Sequence, residues 1–233
     1  MCTVTFLPTS NYNFILTSNR DEQSSRETYA PKKYIEDGVE ILMPKDKIAG
    51  GTWIGVSATN RLVCVLNGAF TKHTRKVPYK KSRGVIAKEI LKAPNFEMVI
   101  AEIDLNNIEP FTMVIADWNT NNLRLFELIW DAQTKHFNKL KIEPKIWSSA
   151  TLYADDAKEL RKQWFNNWKA TNQISKEAIL NFHHSEIGNK EQSILMKRPY
   201  VETVSITCVE KNNTTVKMDY EDVVHGKYFS EIF

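Results

Sequence analysis

Apolar and polar residues alternate from the second residue onward. Cys2-Thr3-Val4-Thr5-Phe6-Leu7 has the period of a strand, Pro8-Thr9-Ser10-Asn11 has the composition of a turn, and Phe14-Ile15-Leu16-Thr17 resumes the strand pattern. The pattern predicts a hairpin. Chain ends ordinarily fray, so a strand this close to the start predicts an N-terminus held in a sheet. Residues 23–47 are polar and lysine-rich and read as a loop. Residues 52–57 and 62–66 give a second strand pair, closed by the turn dipeptide Asn67-Gly68.

Helical spacing follows. Val85, Ile86, Ile90 and Leu91 share one face of a helix over 82–91, with Ser82 as its cap and Pro94 beyond its end. A shorter helix is predicted over 96–102, then three strands over 111–118, 123–130 and 136–142. Leu160, Trp164, Phe165 and Trp168 recur at three and four in a helix over 155–169, and Ser175 caps another over 175–183. A final hairpin is predicted from 203–209 and 216–220. Strands therefore group in hairpins instead of alternating singly with helices. This favours an α+β arrangement of antiparallel sheets with segregated helices over a doubly wound parallel sheet. Neither a repeat nor a linker divides the chain, so a single domain over 1–233 is expected.

Composition narrows the function classes. The 233 residues are 42% hydrophobic and 25% charged, with 31 basic and 28 acidic residues giving a net charge of +3. That balance is ordinary for a globular protein and too small to point to nucleic acid. The basic run Lys72-His73-Thr74-Arg75-Lys76, continuing to Lys80, Lys81 and Arg83, reads as a solvated loop leading into a helix, with an anionic ligand as the alternative. No apolar run approaches the ~20 residues that span a bilayer, and the start lacks the basic and apolar regions of a signal peptide. An intracellular, cytoplasmic protein without a membrane span is expected. The three cysteines, Cys2, Cys64 and Cys208, are widely spaced and contain no CxxC pair, which argues against a disulfide framework or a zinc site. Cys64 and Cys208 sit in apolar strands as small buried hydrophobes.

Cys2 is different because its position makes chemistry available. Methionine aminopeptidase removes Met1 when the second residue is small. The chain would then begin with a thiol and a free α-amine on one residue, and an N-terminal amine of pKa about 7.7–8.0 can serve its own side chain as a base. The alternative is a residue that merely opens an edge strand. Asn67-Gly68 at a strand end can offer an amide and a backbone N–H to one oxygen, as an oxyanion hole requires, or can be only a turn. In Asn19-Arg20-Asp21-Glu22, Arg20 can pair with a substrate carboxylate and Asp21 can hold a protonated amine; a solvated loop is the other reading. His183-His184 beside Glu186 lack a third metal ligand and read as surface histidines at a helix end.

Together, the opening Met-Cys-Thr-Val-Thr-Phe, Ser18-Asn19-Arg20-Asp21-Glu22, Gly50-Gly51-Thr52-Trp53-Ile54-Gly55-Val56 and Leu66-Asn67-Gly68 resemble the NRDE family. That family is named for the tetrapeptide found here at 19–22, and it includes the transport and Golgi organisation protein 2 relatives of eukaryotes. Weaker similarity continues through 147–153 and 198–207. The resemblance implies kinship with the N-terminal-nucleophile (Ntn) hydrolases and their four-layer αββα sandwich of two antiparallel sheets flanked by helices. It implies Cys2 as nucleophile, Arg20 and Asp21 as its assistants, and Asn67 and Gly68 as the oxyanion pair. It also brings Asn19, Ser149 and Arg198 to the substrate side, Ser149 standing where many members carry Asn.

The expected activity is hydrolysis of a linear amide in a small-molecule substrate through an acyl-thioester on Cys2, with no metal and no organic cofactor. The alternative is a non-catalytic protein that binds or carries a lipid, acyl-CoA or haem on the same scaffold. A redox-sensing thiol ranks last, since Cys2 has no evident resolving partner.

Overall fold

The computed structural model describes residues 3–10, 12–120 and 122–233. In chain order the strands and helices are β1 (Thr3–Ser10), β2 (Asn13–Glu22), β3 (Thr28–Glu36), β4 (Val39–Asp46), β5 (Ile54–Ser57), β6 (Arg61–Asn67), α1 (Arg83–Lys92), α2 (Phe96–Glu102), β7 (Phe111–Asp117), β8 (Arg124–Trp130), β9 (Lys135–Leu140), β10 (Lys145–Ser148), α3 (Asp155–Thr171), α4 (Lys176–His183), β11 (Glu202–Asn212), β12 (Thr215–Asp222) and β13 (Lys227–Ile232). The chain forms two compact units, one of residues 1–26 with 143–232 and the other of 27–142 with Phe233.

The first unit is built on the N-terminal hairpin. Its sheet runs β10-β1-β2-β11-β12-β13, antiparallel throughout. β1 and β2 are buried along nearly their whole length on both faces, so they read as near-continuous apolar and small-polar runs. On the helix side, Leu7, Ile15 and Cys208 from the strands share a core with Phe165 of α3 and Ile179 and Phe182 of α4. The Phe165 ring stacks on Trp168 at 5.7 Å and meets Phe182 at 5.8 Å. The three-and-four spacing of α3 and α4 exists to bury this stripe. Ser175 accepts from Ala178 N at 3.1 Å and caps α4 as its sequence position predicts.

The second unit has a sheet of order β3-β4-β5-β6-β7-β8-β9. Ile86 and Ile90 of α1 and Phe96 and Ile100 of α2 share its core with Val63, Met113, Ile115 and Leu128. Arg61 is buried within it. Its guanidinium pairs with Asp117 at 3.0 Å and donates to Ile90 O at 2.8 Å and Ala93 O at 2.7 Å, which satisfies carbonyls at the end of α1.

The architecture is the expected α+β class: two antiparallel sheets, each with its own pair of helices. One expectation fails. Residues 23–47 are not a loop, for β3 and β4 form a hairpin around Asp37-Gly38, both at positive φ of 49° and 80°. β3 is an edge strand with most of its residues partly or fully exposed and a register shift between Tyr29 and Lys32, so it shows no period-2 alternation. The readable signals were Asp37-Gly38 itself and the buried run Ile41-Leu42-Met43. Among the described residues no helix is long and apolar enough to cross a membrane.

Gly84, in the first turn of α1, lies directly against Thr52. A Cβ there would sit 2.6 Å from Thr52 O and 2.8 Å from Thr52 N. Gly84→Ala is therefore expected to destabilise the protein by about 1–3 kcal/mol, against alanine's better helix propensity. The check is a lowered urea midpoint with an unchanged slope; an unchanged midpoint would mean that α1 and the segment leading into β5 separate there at no cost.

Candidate functional site

Antiparallel register gathers the candidate residues of the first unit at one end of its sheet. Thr3 pairs with Asn19 on one side and Ser148 on the other. Across β2, Asp21 pairs with Thr203 and Arg20 with Ser205, with a register shift between Thr203 and Ser205. Cys2 lies outside the described residues.

Strand alternation sends Thr3, Thr5, Asn19 and Asp21 toward the helices, where their side chains find partners. The Asp21 carboxyl is 3% exposed. Its Oδ2 accepts from the Tyr153 hydroxyl at 2.8 Å and its Oδ1 from the Thr203 hydroxyl at 2.7 Å. Thr203 Oγ1 in turn accepts from Met196 N at 3.0 Å, which leaves its own proton for Asp21. Two guanidinium groups lie over the Tyr153 ring, Arg161 at 3.6 Å and Arg198 at 5.4 Å from its centroid. Arg161 is fully buried. It donates through Nε to Gln192 O at 3.1 Å, and through its two terminal nitrogens to Thr3 Oγ1 and Ser193 O.

Asn19 and His183 form the second half of this layer. Asn19 Nδ2 donates to His183 O at 3.0 Å and Ile194 O at 2.9 Å, so both amide protons are engaged. Asn19 Oδ1 lies 2.6 Å from His183 Nδ1. An amide oxygen accepts only, so Nδ1 carries the ring proton, and Nε2 accepts from the Thr5 hydroxyl at 2.8 Å. His183 is thus no surface histidine: it is the last residue of α4 and is fully buried. Desolvation, with the nearby charges of His184 and Arg161, lowers its pKa from 6.5 to about 3.

The remaining expected residues are placed as follows. Arg20 alternates to the opposite face of β2 and is buried, with Nη1 donating to Arg26 O at 3.4 Å. Ser149 is buried, its hydroxyl 3.0 Å from that of Thr151. Arg198 donates to Glu191 O at 2.9 Å and to Leu152 O at 3.2 Å, beside Tyr153. Asn67 and Gly68 belong to the second unit, at the end of β6. Gly68 has φ of 82° and its N–H donates to Pro110 O at 3.0 Å, so this dipeptide ends a strand against β7 and does not form a hairpin turn. Among the described residues no three His, Cys, Asp or Glu side chains converge as a metal site would need.

Sequence reading missed Tyr153, Arg161, His183 and Thr203. A signal existed for Arg161: it stands four residues after Ala157 and four before Phe165, on the buried stripe of α3. A charge at such a position is buried for a reason.

A family model described as Transport and Golgi organisation 2 matches residues 1–225. No curated protein sequence matches the chain. Among solved structures, penicillin V acylase from Agrobacterium tumefaciens superposes with a TM-score of 0.60 at 9% identity, covering 98% of this chain and 85% of its own. The N-acylethanolamine-hydrolyzing acid amidase ortholog of Caenorhabditis elegans gives 0.58 at 12% identity, covering 89% and 92%. A variant of the conjugated bile acid hydrolase of Clostridium perfringens gives 0.56 at 11% identity, covering 99% and 92%. At these identities the likeness establishes the fold, which is that of the Ntn hydrolases.

The state of His183 predicts a pH dependence. Its folded pKa is depressed, so unfolding takes up a proton at any pH between about 3 and 6.5. The stability it supports is fully present above pH 6.5 and is lost as pH falls, by roughly 2 kcal/mol at pH 5. Urea unfolding at pH 7 and pH 5 is expected to show this loss. His183→Gln should be less stable at pH 7 yet lose less between the two; equal losses would assign the acid sensitivity to other groups.

Proposed function

Because the chain belongs to the Transport and Golgi organisation 2 family and has the fold of the Ntn hydrolases, we propose that it is an amide hydrolase with Cys2 as its N-terminal nucleophile. The observation that carries this reading is the held carboxyl of Asp21. It stands on β2 two residues beyond the register partner of Thr3, buried, with both oxygens oriented by hydroxyl donors. A carboxyl fixed there suits a free α-amine at residue 2, which needs a counter-charge when it takes up a proton.

The steps follow from that arrangement. With Met1 removed, the α-amine accepts the thiol proton of Cys2 and sulfur attacks the amide carbonyl carbon. The C–N bond breaks as the amine group passes its proton to the leaving nitrogen, which leaves an acyl-thioester and a free amine. Water then adds to the thioester, giving up a proton to the α-amine, and the C–S bond breaks to release a carboxylic acid and restore the thiol. Asp21 stabilises the ammonium in both halves, and Tyr153 and Thr203 hold Asp21. Arg198, stacked near Tyr153, is the nearest candidate for a carboxylate on the substrate. The resemblance assigns the oxyanion to Asn67 and Gly68, and that assignment rests on sequence alone. The three structural neighbours are named for hydrolase, acylase or amidase activities, which supports an amide as the substrate class.

Intact mass and a pulse of thiol electrophile are expected to show loss of Met1 and fast labelling of Cys2, with Cys64 and Cys208 inert because they are buried. On a panel of linear N-acyl amides, Cys2→Ala should lower turnover by about a thousandfold or more with the fold intact. Tyr153→Phe keeps the ring under the two guanidinium groups and removes only the hydroxyl; it should lower kcat roughly tenfold. Full turnover by Cys2→Ala would end this reading. A retained Met1 with no amide cleaved would instead favour a binding protein on the same scaffold.

A further inference from the structure

Sheet edges invite other strands unless they are guarded. The two sheets end on four strands, and three carry guards. β10 is only 4 residues long. β3 holds Pro31, Lys32, Lys33 and a register shift. β9 carries Lys135 and Lys139. β13 differs: its two charged residues, Lys227 and Glu231, are of opposite sign and lie near its two ends. It pairs with β12 in unbroken register over its 6 residues, contains no proline, and leaves Tyr228, Phe229 and Ile232 at 73%, 39% and 61% exposure.

We propose that β13 is a self-association edge, through which two copies of this chain pair antiparallel with Phe229 on the two-fold axis. Charge selects both the partner and the register. With Phe229 opposite its symmetry mate, Lys227 of each copy faces Glu231 of the other, so one register forms two opposite-charge pairs around an aromatic pair. Period-2 alternation puts all three side chains on one face. Shifting the register by one residue sets Lys227 against Ile232 and Tyr228 against Glu231. Parallel in-register pairing sets like charges together, which is unfavourable. Among the described residues neither Lys227 nor Glu231 makes an ion pair within its own chain, whereas the neighbouring Tyr228 is already bonded to Glu221 at 2.9 Å. The contact is isologous, as a two-fold requires. It joins two six-stranded sheets at the edge opposite β10, and the candidate site on β1 and β2 lies outside it. An edge-to-edge contact is small, so the dimer is of the weak, concentration-dependent kind.

Sedimentation velocity of the 233-residue chain over a concentration series tests this. The native protein is expected to move from monomer to dimer as concentration rises. Lys227→Glu and Glu231→Lys each place like charges at both pairs and should weaken dimerisation by roughly tenfold. The double variant restores opposite charges and should return to within about threefold of native. Both substitutions are at exposed positions, and unchanged melting temperatures of the three variants would confirm intact folds. A monomer at every concentration, a dimer indifferent to both reversals, or a double variant no better than the singles would overturn the proposal.

Discussion

A guanidinium fully withdrawn from water is the constraint around which the first unit is organised. Burying a charge is costly unless hydrogen bonds replace its hydration. Arg161 can sit on the inner stripe of α3 only because two separate parts of the chain supply it with three acceptors: the hydroxyl of Thr3 at the start of β1, and the carbonyls of Gln192 and Ser193 in the segment before β11. The face of Tyr153 closes the remaining side, and its hydroxyl continues to Asp21 at the end of β2. One residue of a helix thereby fixes where the first strand begins relative to the second. Removing it would leave unsatisfied groups on every one of these segments.

The neutral half of the layer depends on the charged half. His183 is bonded between Thr5 and Asn19, and the Arg161 charge is one of the causes that keep its pKa low, after desolvation and His184. A guanidinium cannot give up its proton at any ordinary pH, so the imidazole is the group that stays neutral. That neutrality has a structural consequence. With Nε2 unprotonated, the ring accepts from Thr5, and with Nδ1 protonated it donates to Asn19. The amide is then turned so that both its protons reach main-chain carbonyls. Asn19 in this arrangement braces β2 against α4, and the neighbouring Asp21 inherits a fixed backbone.

Local pattern disclosed the N-terminal hairpin, α1, α3, α4 and the β6 to β8 strands, because each buries a face whose period is visible in a few residues. It failed for β3 and β13, which bury little and so have no period to show, for β10, which is only 4 residues long, and for β4, whose buried residues run consecutively instead of alternating. The site was half legible for a different reason. Asp21 stood out through its tetrapeptide, but the groups that orient it are 132 and 182 residues away, and the partner of Asn19 is 164 residues away. Such pairs arise from strand register and helix docking, and no local spacing encodes them. His183 looked like a surface residue because it ends a helix, where a cation is normally favoured. Burial on the Thr5 and Asn19 side outweighs that preference.

The choice of donors at Asp21 bears on chemistry. Tyr153 and Thr203 supply hydroxyl dipoles that orient both oxygens of Asp21 and add no net charge of their own. The two guanidinium groups nearby lie over the Tyr153 ring and bond main-chain carbonyls or a threonine hydroxyl. A buried polar layer costs stability unless its members are satisfied, and here hydroxyls, amide protons and main-chain carbonyls from distant segments answer Asp21, Asn19, His183 and Arg161.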